Sequence, residues 1–226
     1  MFSLKENLAG IEGAIVAACA RAGRERSAVK LLAVTKTQPD ALIEEAYGFG
    51  VRDFGENYVQ ELVGRRERLA HLKDARWHLI GPLQSNKVKV ALECADFFHA
   101  LDSETVLKVV QKRVGPEGKP WPVFVQVNID NEPTKSGLLP ADVPAFIEKV
   151  RAARELQLRG LMAIPEPHGD INGMRPAFRA LKDLAARTLG PSAQLSMGMS
   201  EDFTVAIEEG AHWVRVGRRL FGERKT

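Results

Sequence analysis

The chain has 226 residues, 45% of them hydrophobic, and its 32 basic and 29 acidic side chains leave a net charge of +3. That is enough apolar material for one large core, and charge so nearly balanced makes no case for a general nucleic-acid surface. Cys19 and Cys94 are the only cysteines, too few for a disulfide framework or a metal-finger pattern.

Residues 3–22 carry Leu4, Leu8, Ile11, Ile15 and Ala18/Cys19 at three- and four-residue steps, which predicts an amphipathic helix closed by Gly23. Lys5, Glu6 and Glu12 interrupt any continuous apolar region near the N-terminus, so it does not read as a signal peptide. Nor is any apolar run long enough to span a bilayer. A cytoplasmic protein is expected. Strands are predicted at 30–35, 50–54, 76–80, 96–100, 122–129, 157–163, 193–197 and 212–216. Helical patterns lie between them at 39–48, 56–72, 84–94, 103–113, 140–154, 172–188 and 201–209. Pro39 and Pro140 suit the first turn of a helix.

The strands are short apolar runs without alternation, as expected where both faces are buried. Strands alternating with helices point to a parallel sheet, either closed into a (β/α)8 barrel or open and doubly wound. No Pro/Gly/Ser-rich linker divides the chain, so residues 1–226 read as a single domain. There is no GxGxxG turn, GxSxG elbow, Walker loop or metal-ligand spacing. Arg218-Arg219, followed by Glu223-Arg224-Lys225, reads as a solvated end rather than a nucleic-acid arm.

The first strand, Leu31-Leu32-Ala33-Val34, runs into Thr35-Lys36. An amine at the C-terminal end of a buried strand stands where barrels and open α/β sheets keep their active sites. Held rigidly and partly desolvated, such a lysine can attack an aldehyde. Otherwise Lys36 merely snorkels to water.

The stretch LLAVTKTQP at 31–39 resembles the lysine-bearing first strand of the pyridoxal phosphate homeostasis proteins, one-domain relatives of the alanine racemase N-terminal domain (fold type III). The likeness continues in FGENYVQE at 54–61, WHLIGPLQSNK at 77–87, VNIDNEPTKSGL at 127–138, LRGLMAIPE at 158–166 and LSMGMSEDFTVAIEEGAHWVRVGRRLFGER at 195–224. The resemblance implies a (β/α)8 TIM-type barrel with an extra N-terminal helix, and pyridoxal 5′-phosphate as cofactor.

That cofactor needs an amine for its aldehyde, donors for its phosphate and a partner for its ring nitrogen. Lys36 supplies the amine, as a Schiff base. For the phosphate, Ser196-Met197-Gly198-Met199-Ser200 and Gly217-Arg218 follow strands seven and eight, the corner where barrels often bind phosphate. Ser200 is expected as the N-cap of the helix at 201–209, with Glu201 and Asp202 facing away from the dianion. Met199 is an accessory candidate. Many relatives place a small hydroxyl residue where this chain has Arg218; the backbone N–H survives that change.

Arg215, in VRVG, resembles the arginine that faces the pyridine nitrogen in alanine racemase. A guanidinium can only donate, so it opposes ring protonation and makes the ring a weaker electron sink. The other reading is a strand-end arginine in a surface ion pair. Asn57 is implied near the cofactor's 3-oxygen, or it only forms a turn. His78 is either an accessory residue or a satisfied core histidine. Lys135 is either a second cofactor site or a solvated lysine.

Alanine racemases add a C-terminal domain supplying a tyrosine as second acid/base, and this chain ends ten residues after Val216. The implied function is therefore to hold the cofactor, limit free aldehyde and deliver it to apo-enzymes, as a monomer. A weak amino-acid racemase and a cofactor-free Schiff-base aldolase are the alternatives.

Overall fold

The computed structural model describes residues 3–114, 118–166 and 170–222; the basic tail at 223–226 lies outside them. Eight strands pair in parallel and in chain order, and the first closes on the last. They are β1 (Lys30–Val34), β2 (Asp53–Glu56), β3 (Arg76–Leu79), β4 (Phe97–Leu101), β5 (Trp121–Val127), β6 (Leu156–Ala163), β7 (Gln194–Ser196) and β8 (Trp213–Val216). The closed barrel of the resemblance is thus the observed fold, and the open sheet is excluded.

The helices are α1 (Leu4–Arg21), α2 (Asp40–Gly48), α3 (Val59–Arg68), α4 (Val88–Cys94), α5 (Glu104–Val114), α6 (Val143–Ala152), α7 (Arg175–Leu189), α8 (Phe203–Glu208) and α9 (Arg218–Phe221). Helix α1 precedes the barrel and packs on α8 and α9. It buries Leu4, Leu8, Ile11, Ile15, Ala18 and Cys19, the stripe its spacing predicts. Each buried aliphatic side chain is worth about 1.5–3 kcal/mol. Gly23, at φ +62°, takes the left-handed position past its end. No helix of the described residues is long and apolar enough to cross a membrane.

Three boundaries differ from expectation for physical reasons. Strand β2 is displaced from 50–54 to Asp53–Glu56. Its Asp53 and Glu56 are buried but partnered, by Arg76 and His78 and by Thr35 and Arg65, so an apolar pattern understates it. Pro140 lies ahead of α6, whose first turn instead holds Pro144. The short α9 was not predicted.

Alternate residues of each strand enter the barrel. A side chain on Gly55 would meet Ile80 and Leu32, and one on Gly217 would meet Val34. By period two, Leu32, Val34 and Lys36 share that inner side, as do Asp53, Gly55 and Asn57. The C-terminal ends of the strands open on a cavity of about 830 Å³.

Candidate functional site

Lys36 lines that cavity. It stands two residues past the end of β1, and its neighbours fix the backbone on either side. Thr35 N donates to Gly55 O at 3.0 Å, and Gln38 N closes a turn onto Thr35 O at 3.0 Å. Between them Thr37 sits at φ +64°, a strained conformation for a β-branched residue. On the outer side, the Thr35 hydroxyl bonds the buried Glu56 carboxyl. Arg65 reaches Glu56, Asp40 and the carbonyls of Thr35 and Gln38. The lysine therefore rises from a backbone anchored by a buried polar cluster.

Asn57 lines the same cavity, next in line after β2. Gly81 makes its position possible: a Cβ there would lie 2.2 Å from Asn57 O, so the end of β3 reaches this approach only as glycine.

Arg215 is not a surface arginine. It is 4% exposed, lines the cavity, and donates to Ser196 Oγ at 2.9 Å and to Ala163 O at 2.9 Å. No carboxylate touches it among the described residues. Burial lowers its pKa to about 10, partly offset by the charge of Asp202, so it stays cationic at neutral pH. Two of its hydrogen-bonding arms are fixed by the protein, which sets the guanidinium plane beside the cavity.

At the corner after β7 and β8, Ser200, Gly217 and Arg218 all line the cavity. Two expectations fail here. Ser200 is not a helix N-cap: α8 begins at Phe203, behind Asp202. The Ser200 hydroxyl oxygen instead faces Gly217 N at 3.4 Å and Arg219 N at 3.5 Å, tying the two loops together. Nor does Asp202 turn away. It is buried and lines the cavity, and its Oδ1 accepts Met199 N–H at 2.5 Å. Burial raises its pKa, against the pull of that bond. The Met199 amide is thereby consumed locally, although the residue does line the cavity.

Gly198 shapes the same loop. Its φ is +89°, and a Cβ would lie 2.5 Å from that of Ala206. The Arg218 side chain is 64% exposed and lies 3.4 Å from Glu201, and both residues line the cavity, so Glu201, expected to face away, is at the cavity too.

His78 does not line the cavity. It is fully buried deeper in the barrel, stacked on Phe97 at 4.5 Å, with Asp53 Oδ1 at 2.9 Å and His99 Nε2 at 3.0 Å. Its satisfied-core reading is the one the structure supports. Lys135 does line the cavity, at its rim, and pairs with Glu166 at 3.1 Å. Gln126, Asn128 and Ser136, which sequence reasoning missed, complete that wall. Asn128 holds the loop by bonding Glu132 and Lys135 carbonyls. Among the described residues no three His, Cys, Asp or Glu side chains gather as a metal site.

An amine, a loop corner with a hydroxyl and backbone amides, and a buried cation without a contacting carboxylate thus face one cavity. These groups match what pyridoxal phosphate requires of a protein. Residues 13–225 match the family model described as "Alanine racemase, N-terminal domain". A curated "Pyridoxal phosphate homeostasis protein" of Pseudomonas aeruginosa is 44% identical over 99% of this chain and 97% of its own length. The structure of PipY from Synechococcus elongatus, solved with PLP bound, superposes with TM-score 0.84 at 36% identity, covering 97% of this chain and 100% of that one. Alanine racemase from E. faecalis shares the fold alone: TM-score 0.70, 16% identity, 94% of this chain and 57% of that one. The chain belongs to the pyridoxal phosphate homeostasis protein family, within the alanine racemase N-terminal domain group.

Proposed function

We propose that this protein binds pyridoxal 5′-phosphate in the cavity at the C-terminal ends of the strands, holding it as a Schiff base on Lys36 and releasing it to apo-enzymes. The observation that carries this reading is the convergence of Lys36, Ser200, Gly217 and Arg215 on one cavity. When bound, the cofactor supplies a reactive aldehyde and an electron-withdrawing ring. Lys36 is the amine for that aldehyde. The Ser200 hydroxyl and the amides at Gly217 and Arg218 would hold the phosphate, the Gly217 amide turning to it from its long 3.4 Å contact with Ser200 Oγ. Arg215 donates to the ring nitrogen and, being cationic, keeps a proton off it. Asn57 bonds near the 3-oxygen.

Holding is favoured over racemisation by what surrounds Lys36. Moving a proton across a carbon needs an acid and a base on opposite faces. The described residues lining the cavity include no tyrosine or histidine, and its other titratable groups besides Lys36 are Lys135, Asp170, Glu201, Asp202, Arg215 and Arg218. Tyr47 bonds Asp74 on the surface and Tyr58 is 58% exposed. The cofactor reading gives a role to the buried Arg215 on the same cavity, which the cofactor-free aldolase reading leaves unassigned. The single domain, monomeric state and cytoplasmic location belong to the same proposal, as does Lys135, at the rim, as a point where cofactor is received or handed on.

Transfer is the direct test. Loaded protein is mixed with an apo-enzyme that depends on the cofactor, with and without a small primary amine. Faster recovery of the apo-enzyme's activity with the amine present, as it frees Lys36, is expected. No transfer under either condition would remove the delivery role.

A further inference from the structure

We infer that Asp53, His78, His99 and Ser196 form a one-way hydrogen-bonded chain through the barrel interior that positions Arg215. Four contacts join the groups. Arg215 Nη1 lies 2.9 Å from Ser196 Oγ, Ser196 Oγ 2.9 Å from His99 Nδ1, His99 Nε2 3.0 Å from His78 Nδ1, and His78 Nε2 2.9 Å from Asp53 Oδ1. The two histidines and the serine are fully buried, and Asp53 is 5% exposed.

The direction follows from the two ends. A guanidinium only donates and a carboxylate only accepts. His78 must therefore carry its proton on Nε2 to bond Asp53. A neutral ring then accepts at Nδ1, so His99 carries its proton on Nε2. His99 in turn accepts at Nδ1, so the Ser196 hydroxyl donates to it and is left to accept from Arg215. The reverse order would require a cationic imidazole in the core. Burial acts against that, lowering the pKa of both histidines, with the neighbouring Arg215 charge lowering His99 further.

Ring packing holds the imidazoles in these orientations. His78 stacks on Phe97, and His99 stacks on Phe124 at 4.4 Å. At the far end, Arg76 grips Asp53 with two bonds of 2.7 and 2.6 Å. Burial would raise the Asp53 pKa, but the His78 and Arg76 bonds outweigh it, and the carboxyl lies below its ordinary value. Among the described residues no carboxylate contacts Arg215, and Asp202 is the nearby charge acting on it, so what the chain supplies is a fixed acceptor for the guanidinium. These four are positioning residues. Their effect on the cofactor rests on the reading that Arg215 faces its ring nitrogen.

Nitrogen-15 NMR of the histidines in unloaded protein at pH 7, assigned with the His78→Asn and His99→Gln variants, tests the wiring. Both rings should be neutral with the proton on Nε2. A cationic His78, or a proton on His99 Nδ1, would overturn the chain. The second arm uses protein loaded with cofactor labelled at the ring nitrogen. His99→Leu should shift the ring-nitrogen resonance and the visible absorption maximum and weaken retention about tenfold, whereas His99→Gln, which can both accept and donate, should restore them. If His99→Leu does not fold, Ser196→Ala cuts the chain with less volume change and should move the same signals. Unchanged signals in folded, loaded variants would sink the positioning role. Failure of wild-type protein to take up any cofactor would instead overturn the functional reading, while the tautomer measurement still decides the wiring.

Discussion

The Thr35 hydroxyl donates to the Glu56 carboxyl at 2.7 Å, one residue before the lysine that faces the cavity. Glu56 is fully buried, and burial together with nearby Glu61 raises its pKa from 4.5 to about 7, against the Thr35 bond and the Arg65 charge. The native state therefore binds this proton more tightly than the unfolded chain does. Its stabilisation is complete below pH 4.5 and declines as pH rises through about 7. The neutral His78 and His99 act oppositely below pH 6.5, so the clean window lies above that.

Between pH 6.5 and 8.5 the wild type should lose stability of about 0.8 kcal/mol that Glu56→Gln does not lose. Urea midpoints of both proteins across this range check it. Parallel pH profiles would show that Glu56 is already ionised in the native state.

Ser200→Ala should weaken cofactor retention without unfolding the chain. A lost charged hydrogen bond is worth about 1.5–3 kcal/mol, or roughly ten- to hundredfold in affinity. Gly217→Val should weaken it too, because a Cβ there comes within 3.2 Å of Val34 O, in the strand that leads to Lys36. Titrations with pyridoxal and pyridoxal phosphate compare the two ligands. Equal affinity would mean that this corner does not hold the phosphate.

Arg218→Thr should leave retention within tenfold of wild type, equivalent to about 1.4 kcal/mol. Its guanidinium is well exposed and 3.4 Å from Glu201, so its backbone amide is the part proposed to hold the phosphate. A larger loss in the same titration would make the side chain an inner phosphate ligand.

Turnover should be poor. With Arg215 opposing protonation of the ring, alanine, serine, glutamate and lysine should not be racemised at rates near 1 s⁻¹, the low end of ordinary enzymes. Chiral chromatography after prolonged incubation, with Lys36→Ala as control, measures this. Conversion at that rate, absent from the control, would favour the racemase.

The alternation of strands and helices was legible because buried parallel strands and amphipathic helices leave different periodicities, and the position of Lys36 could be read from one strand; closure into a barrel came only from the resemblance, because an open sheet leaves the same pattern. Polar strand residues were harder to place. Asp53, His78 and His99 interrupt the apolar pattern, and nothing local reveals that they meet: His99 and Ser196 are 97 residues apart in sequence. Ser200 looked like a cap because it precedes a helix, but whether a hydroxyl bonds the next turn or a neighbouring loop depends on strand β8, which closes the barrel beside it. The inward turn of Asp202 was hidden for the same reason.

The central claim is that Lys36 holds the cofactor's aldehyde. Protein loaded with pyridoxal phosphate is reduced with borohydride, digested and mapped by mass spectrometry. The account predicts the reduced cofactor mass on the peptide containing Lys36, and no retained visible absorbance in Lys36→Ala. Label on Lys135 with Lys36 unmodified, or undiminished absorbance in Lys36→Ala, would contradict it.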